Sequence, residues 1–288
     1  MNNNLTIILS IYMKVLYIDS TTTLTLDEAK TFIDDIHNFS IIGNGTYCTT
    51  SRISEQLVLK HYRYSQNFDE DTEDYIKEIK SEILFIKNYN HLSYVAKTDF
   101  ILLYQKDIYI FQEYIKIFSP RHKNINDFHN SFPYFIKLLA INMDLLVNHN
   151  YLNVDIKNTN VGYDSNNTLK IFDFNLFIKI TDFSEKIDLY SKYSFYYLHP
   201  IQAFRPEDII LYSIAILILE SLSTYSECNK YIYKPPKLKF SKFVLLQLKK
   251  NVISPELYKI LHMCFNAKYT SNQLYDNLCI FSNISNNQ

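Results

Sequence analysis

The sequence predicts an α+β fold in two parts, a small antiparallel β-sheet region with one helix followed by a larger, mainly helical region. Three observations carry that reading. β-branched and apolar runs flank Gly43-Asn44-Gly45 and resume after a polar turn at Ser54-Glu55. Tyr75, Ile76, Ile79, Ile83, Leu84 and Ile86 then repeat at roughly helical spacing among charges. Much later, EDIILYSIAILILESLS (207 to 223) is apolar on nearly every face, as befits a helix at the centre of a helical core.

Composition bounds the function. The 288 residues suffice for one large domain or two small lobes, each with its own core. Hydrophobic residues make up 47% and charged residues 20%, with 29 basic against 30 acidic side chains, which argues against disorder and leaves no basic footprint for nucleic acid. Cys48, Cys228, Cys264 and Cys279 lie far apart without C-x-x-C or Cys/His ligand spacing. Neither a disulfide framework nor a structural zinc is therefore expected, and a reducing, intracellular and cytoplasmic setting fits. No apolar run reaches the ~18 to 20 residues of a membrane span.

Residues 1–38 read as an extension leading into the sheet region, which is placed at 39–114, with the helical region at 115–288. LTIILSIYMKVLYI (5 to 18) lacks the basic leader of a signal peptide, and Ser10, Tyr12 and Lys14 interrupt it. A buried strand is expected there, with Met13 as an alternative start to Met1.

The chain carries three glycines, Gly43, Gly45 and Gly162, where roughly 7% would be typical, and two of them share one tripeptide. FSIIGNGTYCTTSRISEQLVLKHYRY (39 to 64) reads as strand, glycine turn, strand, turn, strand. Taken alone this is an ordinary hairpin in which glycine supplies positive φ; equally, its backbone N–H groups can approach phosphate oxygens because no Cβ intervenes. Lys60 sits in the apolar strand LVLKH, where an ammonium needs a carboxylate or a phosphate to offset its desolvation. On the following helix Glu82 is either a solvated glutamate or, beside Ile79, Ile83 and Ile86, an inward one that answers Lys60.

YLNVDIKNTNVGYD (151 to 164) sets a carboxylate, an ammonium and an amide at Asp155, Lys157 and Asn160 in an otherwise apolar or neutral run. After a short turn, the β-rich LKIFDFNLF (169 to 177) carries Asp173-Phe174-Asn175.

In this order the landmarks resemble a divergent eukaryotic-type protein kinase, from about Phe39 to about Ile280. GNGTYC, that is Gly43, Asn44, Gly45, Thr46, Tyr47 and Cys48, is similar to the family's Gly-rich loop with Cys48 in place of its third glycine. Lys60 and Glu82 stand where the family's strand lysine and helix glutamate orient nucleotide phosphates. DIYIFQEYIKI (107 to 117) resembles the strand and hinge, which implies Gln112 as gatekeeper and Glu113 to Ile115 as the backbone edge that reads adenine. NVDIKNTN resembles the catalytic loop, which implies Asp155 as base, Lys157 as a neutraliser of the transferring phosphoryl group, and Asn160 and Asp173 as ligands of Mg2+, or of Mn2+ in its place.

The resemblance implies a two-lobed kinase-like fold and ATP-dependent transfer to protein hydroxyls, with Lys157 favouring Ser or Thr acceptors. The departures imply loss of regulation. Asn153 and Val154 replace the histidine and arginine before the base, so activation by loop phosphorylation is not expected. Asn175 replaces a glycine and is expected to tolerate left-handed φ. His199-Pro200-Ile201 stands at the end of the activation segment without its glutamate, Lys268 stands for that glutamate's arginine, and Ile210 replaces the aspartate of the apolar helix, with Asp208 two residues earlier. These erosions leave an alternative, a pseudokinase that binds nucleotide or a partner protein as a scaffold; a small-molecule phosphotransferase is a third reading. The basic KPPKLKFSKF (234 to 243) is a solvated face or a partner patch. With its short length, eroded motifs and richness in Asn, Ile, Lys and Tyr, the chain resembles the kinases of large DNA viruses or intracellular parasites, and a viral origin would place it in the host cytoplasm or the virion.

Overall fold

A computed structural model describes residues 14–44, 48–63, 72–118, 131–183, 205–224, 226–228, 240–250 and 252–285. The fold is α+β, with a six-stranded antiparallel sheet and seven α-helices among the described residues. The chain divides into two compact units: the first runs to Lys116 and adds Tyr163–Asn175, and the second comprises Ile117–Gly162 and the chain from Leu176 on. The first unit thus takes in residues 163–175, which had been expected in the helical region.

In the first unit, strands β1 (Lys14–Ile18), β2 (Ser40–Asn44), β3 (Cys48–Arg52), β4 (Leu57–Tyr62), β5 (Thr98–Tyr104) and β6 (Asp107–Glu113) form the sheet in the order β1-β5-β6-β4-β3-β2. The strand, glycine turn, strand, turn, strand reading of 39 to 64 matches β2, β3 and β4. β1 is not the buried strand expected. It lies at the sheet edge, pairs with β5 alone, and leaves Val15 38% and Ile18 44% exposed, because an edge strand has a neighbour on one side only.

Strand alternation in LVLKHY sorts side chains to two faces. Leu59 joins Phe100, Leu102, Tyr109 and Phe111 on one face, where helix α1 (Leu26–Asp34) inserts Ala29 and Ile33. The sheet region therefore holds two helices, not one, and residues 14–38 contribute Ala29 and Ile33 to its core. A capping box starts α1: Glu28 N–H donates to Thr25 Oγ1 at 3.3 Å, and Thr25 N–H donates back to Glu28 Oε2 at 2.8 Å. On the other face lie Lys60 and Tyr62, and α2 (Thr72–Tyr89) brings Ile79, Glu82, Phe85 and Ile86, all buried.

The second unit is mainly helical. α3 (Phe132–His149) starts with Pro133 in its first turn, where a missing N–H costs nothing, and ends on Asn150 in the left-handed region at φ 57°. α4 (Pro206–Ser221) buries every residue from Asp208 to Ser221, as its uniform hydrophobicity requires. α5 (Phe240–Lys249), α6 (Pro255–Phe265) and α7 (Ser271–Ser285) complete the unit, with Tyr212 of α4 edge-on to Phe265 at 5.4 Å and Phe132 of α3 stacked on Phe281 of α7 at 5.4 Å. No helix among the described residues is long and apolar enough to cross a membrane. A short antiparallel pair, with Tyr151–Asn153 against Phe177–Lys179, leads into the loop that bears Asp155.

Candidate functional site

Lys60 is 5% exposed at the centre of β4. Its Nζ donates to Glu82 Oε1 at 2.6 Å and to Asp173 Oδ1 at 2.9 Å. Burial alone would lower the pKa of this ammonium, but the Asp173 and Glu82 carboxylates outweigh it and hold the pKa well above the ordinary lysine value. Glu82 is fully buried, which settles its two readings in favour of the inward one. Its second oxygen accepts a hydrogen bond from the Tyr62 hydroxyl, so both oxygens have partners.

Asp173 follows a short strand, Leu169–Ile171, which docks on the first unit through a parallel bridge between Val95 and Ile171. Asp173 itself adopts φ 67°, and Phe174 to Leu176 form a single 3-10 turn. The left-handed residue of this motif is therefore Asp173 and not Asn175, a position that aspartate tolerates better than most side chains. Phe174 is fully buried, with its ring 4.9 Å from that of Phe85 on α2.

Of the expected Gly-rich loop, Gly43 and Asn44 end β2 and Cys48 begins β3, while Gly45, Thr46 and Tyr47 lie outside the described residues. Gly43 does not supply positive φ; it is extended, next to a register shift between Ile41 and Gly43. Cys48 pairs across strands with Tyr62, and burial raises its thiol pKa.

Gln112 is 3% exposed and its amide donates to Thr98 Oγ1 at 3.2 Å. The next two backbone amides are engaged within the unit, Glu113 N–H with Lys97 O at 2.8 Å and Tyr114 N–H with Gln56 O at 2.7 Å. Ile115, which follows on this edge, is buried at 6% exposure. The Glu113 side chain accepts from the Lys97 amide at 2.6 Å and pairs with Lys170 at 3.0 Å. A cavity of about 550 Å³ opens in the same unit, lined in part by Leu24, Phe32, Leu57, Glu113, Tyr114 and Tyr163. Of the expected nucleotide-binding edge it includes Glu113 and Tyr114.

The second unit carries the other group. Asp155 is 4% exposed, with its carboxylate fixed by Lys157 Nζ at 2.6 Å and Asn160 Nδ2 at 2.8 Å, both on Oδ2. Asn153 Oδ1 accepts the Asp155 amide at 3.0 Å, so the residue that departs from the family pattern shapes the loop locally. Asn158 donates to the buried Glu220 of α4 at 3.1 Å, tying the loop to the central helix. Asp208 pairs with Arg205 at 2.8 Å and not with the loop, and Glu207 Oε1 accepts the Ser271 amide at 2.7 Å.

Each expected metal ligand offers hard oxygen donors of the kind Mg2+ takes, Asp173 in the first unit and Asn160 in the second. Asn160 commits its Nδ2 to Asp155, which leaves Oδ1 as its ligating atom, and Asp173 commits Oδ1 to Lys60. No cluster of three or more His, Cys, Asp or Glu that could hold a metal ion occurs among the described residues. The activation segment from 184 to 200 and His199-Pro200-Ile201 lie outside the described residues, as does the Pro235-Pro236 part of the basic run.

Tyr62 and Lys170 escaped the reading from sequence. Lys170, in LKIF, carries the same signal as Lys60 in LVLK: an ammonium within an apolar strand that must have a carboxylate partner. No protein-family model and no curated protein matches the chain.

Proposed function

We propose that the chain is an ATP-dependent protein kinase with a two-lobed kinase-like fold, acting on Ser or Thr hydroxyls. The observation that carries the reading is the triad in which the buried Lys60 bridges the buried Glu82 at 2.6 Å and the partly exposed Asp173 at 2.9 Å. A buried lysine held between two carboxylates by three separate segments of chain is costly unless the pairing serves something, and presenting a fixed ammonium to nucleotide phosphates is such a use. The loop of Asp155, Lys157 and Asn160 supports the same reading independently, because it converges a cation and an amide on one carboxylate oxygen.

In this mechanism Lys60 orients the phosphates, and Glu82 keeps Lys60 from turning away. Asp155 receives the proton of the acceptor hydroxyl as its oxygen bonds to the γ-phosphorus and the bond to the β-phosphate oxygen breaks, releasing ADP. Lys157 offsets negative charge on the moving phosphoryl group. Mg2+, when bound by Asp173 and Asn160, would neutralise the phosphate oxygens. Most of the catalysis is positioning and electrostatics.

The test is magnesium-dependent transfer of radiolabelled γ-phosphate from ATP to the protein itself and to a basic protein substrate, with Asp155→Asn as control. Label that vanishes in the variant supports the kinase. No label from the wild type, with ATP still raising the melting temperature, would assign the chain to a nucleotide-binding scaffold.

A further inference from the structure

The side chain that closes the Lys60 cluster is Tyr62, two residues along the same strand and on the same sheet face. Lys60 holds one oxygen of Glu82 and the Tyr62 hydroxyl holds the other. The phenol is 3% exposed, so water does not compete for this bond. Burial, reinforced by the Glu82 charge, pushes the Tyr62 pKa well above its ordinary value, which keeps the hydroxyl protonated and a donor throughout the physiological range.

The strand geometry extends the chain of contacts. Cys48, the first residue of β3, is the cross-strand partner of Tyr62. Tyr62, Glu82 and Lys60 therefore form one sequence of contacts between β4 and α2. A carboxylate with one partner can rotate about its terminal torsion and carry Lys60 with it; a carboxylate gripped on both oxygens cannot.

We infer that Tyr62 is a positioning residue that locks Glu82 against Lys60, so that the phosphate-orienting pair is assembled within the first unit without an activation-loop phosphate. The inference rests on the proposed kinase reading for its function, but not for its structural content.

Two measurements on the full chain separate the two. In the first, the side-chain nitrogen of Lys60 is followed by NMR in the free protein, assigned with Lys60→Arg, and compared between wild type and Tyr62→Phe. Phenylalanine keeps the ring and removes only the donor. The expected result is a shifted Lys60 resonance with faster proton exchange; an unchanged resonance overturns the inference, even if the melting temperature falls. Should Tyr62→Phe fail to fold, Tyr62→Met is read by the same criterion.

In the second, phosphate transfer is measured for wild type, Tyr62→Phe, Glu82→Gln and the double variant. Misplacing a positioned group costs up to about 100-fold. A loss of that order in kcat/KM for Tyr62→Phe, with no further loss when it is added to Glu82→Gln, supports the assignment. Equal losses in both backgrounds would show that Tyr62 acts elsewhere and overturn it. A wild type that transfers no phosphate overturns the kinase reading alone, and the Lys60 resonance then decides the role of Tyr62.

Discussion

Lys170 Nζ stands 3.0 Å from Glu113 Oε1, so the carboxylate that follows the buried Gln112 is neutralised from within its own unit. Asp164 lies on the same ammonium at 3.6 Å. Replacing Lys170 by Met leaves two partly buried carboxylates facing each other without a cation. Breaking a buried pair costs roughly 3–5 kcal/mol, and the partial exposure of Glu113 puts Lys170→Met at the lower end of that range. Chemical denaturation should show the loss, and Glu113→Gln in the same background should recover part of it.

Asn160→Ala should affect two things at once. It removes the amide that holds Asp155 Oδ2 at 2.8 Å and the oxygen assigned to Mg2+. Under the proposed mechanism, transfer should fall by about 10²-fold or more, and the magnesium concentration for half-maximal rate should rise. Asn160→Asp, which keeps the ligand oxygen but abolishes the donor, should restore the magnesium dependence more than the rate.

Glu227 predicts a pH dependence of stability. Partial burial would raise its pKa, but hydrogen bonds from Lys250 at 2.8 Å, the Thr224 amide at 3.0 Å and Gln247 at 3.2 Å outweigh that and hold it at about 2, below the ordinary 4.5. A depressed carboxyl stabilises the fold in full above its unfolded pKa and loses that contribution as pH falls through its folded value. The difference in stability between wild type and Glu227→Gln should therefore be constant above pH 4.5 and shrink between 4.5 and about 2. Urea titrations across that window measure it.

Ile33→Ala tests whether residues 14–38 belong to the sheet unit. Ile33 is 5% exposed within the cluster of Leu59, Phe100, Tyr109 and Phe111. A large-to-small change at such a site costs about 2–5 kcal/mol, whereas a side chain in a loose extension would cost almost nothing. Thermal melting of the full chain distinguishes the two.

What could be read from sequence was what a single segment states about itself. Lys60 was legible because an ammonium in LVLKH must have a partner, whereas the spacing of Ile79, Ile83 and Ile86 allowed Glu82 an inward position without excluding a solvated one. α1 was missed: its Thr25 to Glu28 capping box marks a helix start, but nine residues give too little periodicity to be recognised. The hydroxyl of Tyr62 was not legible: one tyrosine among 25 has no local mark to show that it faces a carboxylate 20 residues away. The left-handed turn at Asp173, where Asn175 had been expected to adopt it, depends on how the strand before it docks at Val95, which no local pattern encodes.

The first unit is assembled from two stretches of chain, and this sets an order for its folding. Ile171 exchanges hydrogen bonds with Tyr94 and Ala96 at 2.8 and 2.9 Å, and Asp173 reaches Lys60 from 113 residues away. During synthesis the sheet can pair its strands as soon as Glu113 has emerged, but its buried ammonium must wait for some 60 further residues before the second carboxylate arrives. Closing so long a loop is slow compared with hairpin formation. A nascent chain halted before Asp173 would thus hold a formed sheet around an incompletely neutralised lysine, the state in which an acidic chaperone or a bound nucleotide would find most to stabilise.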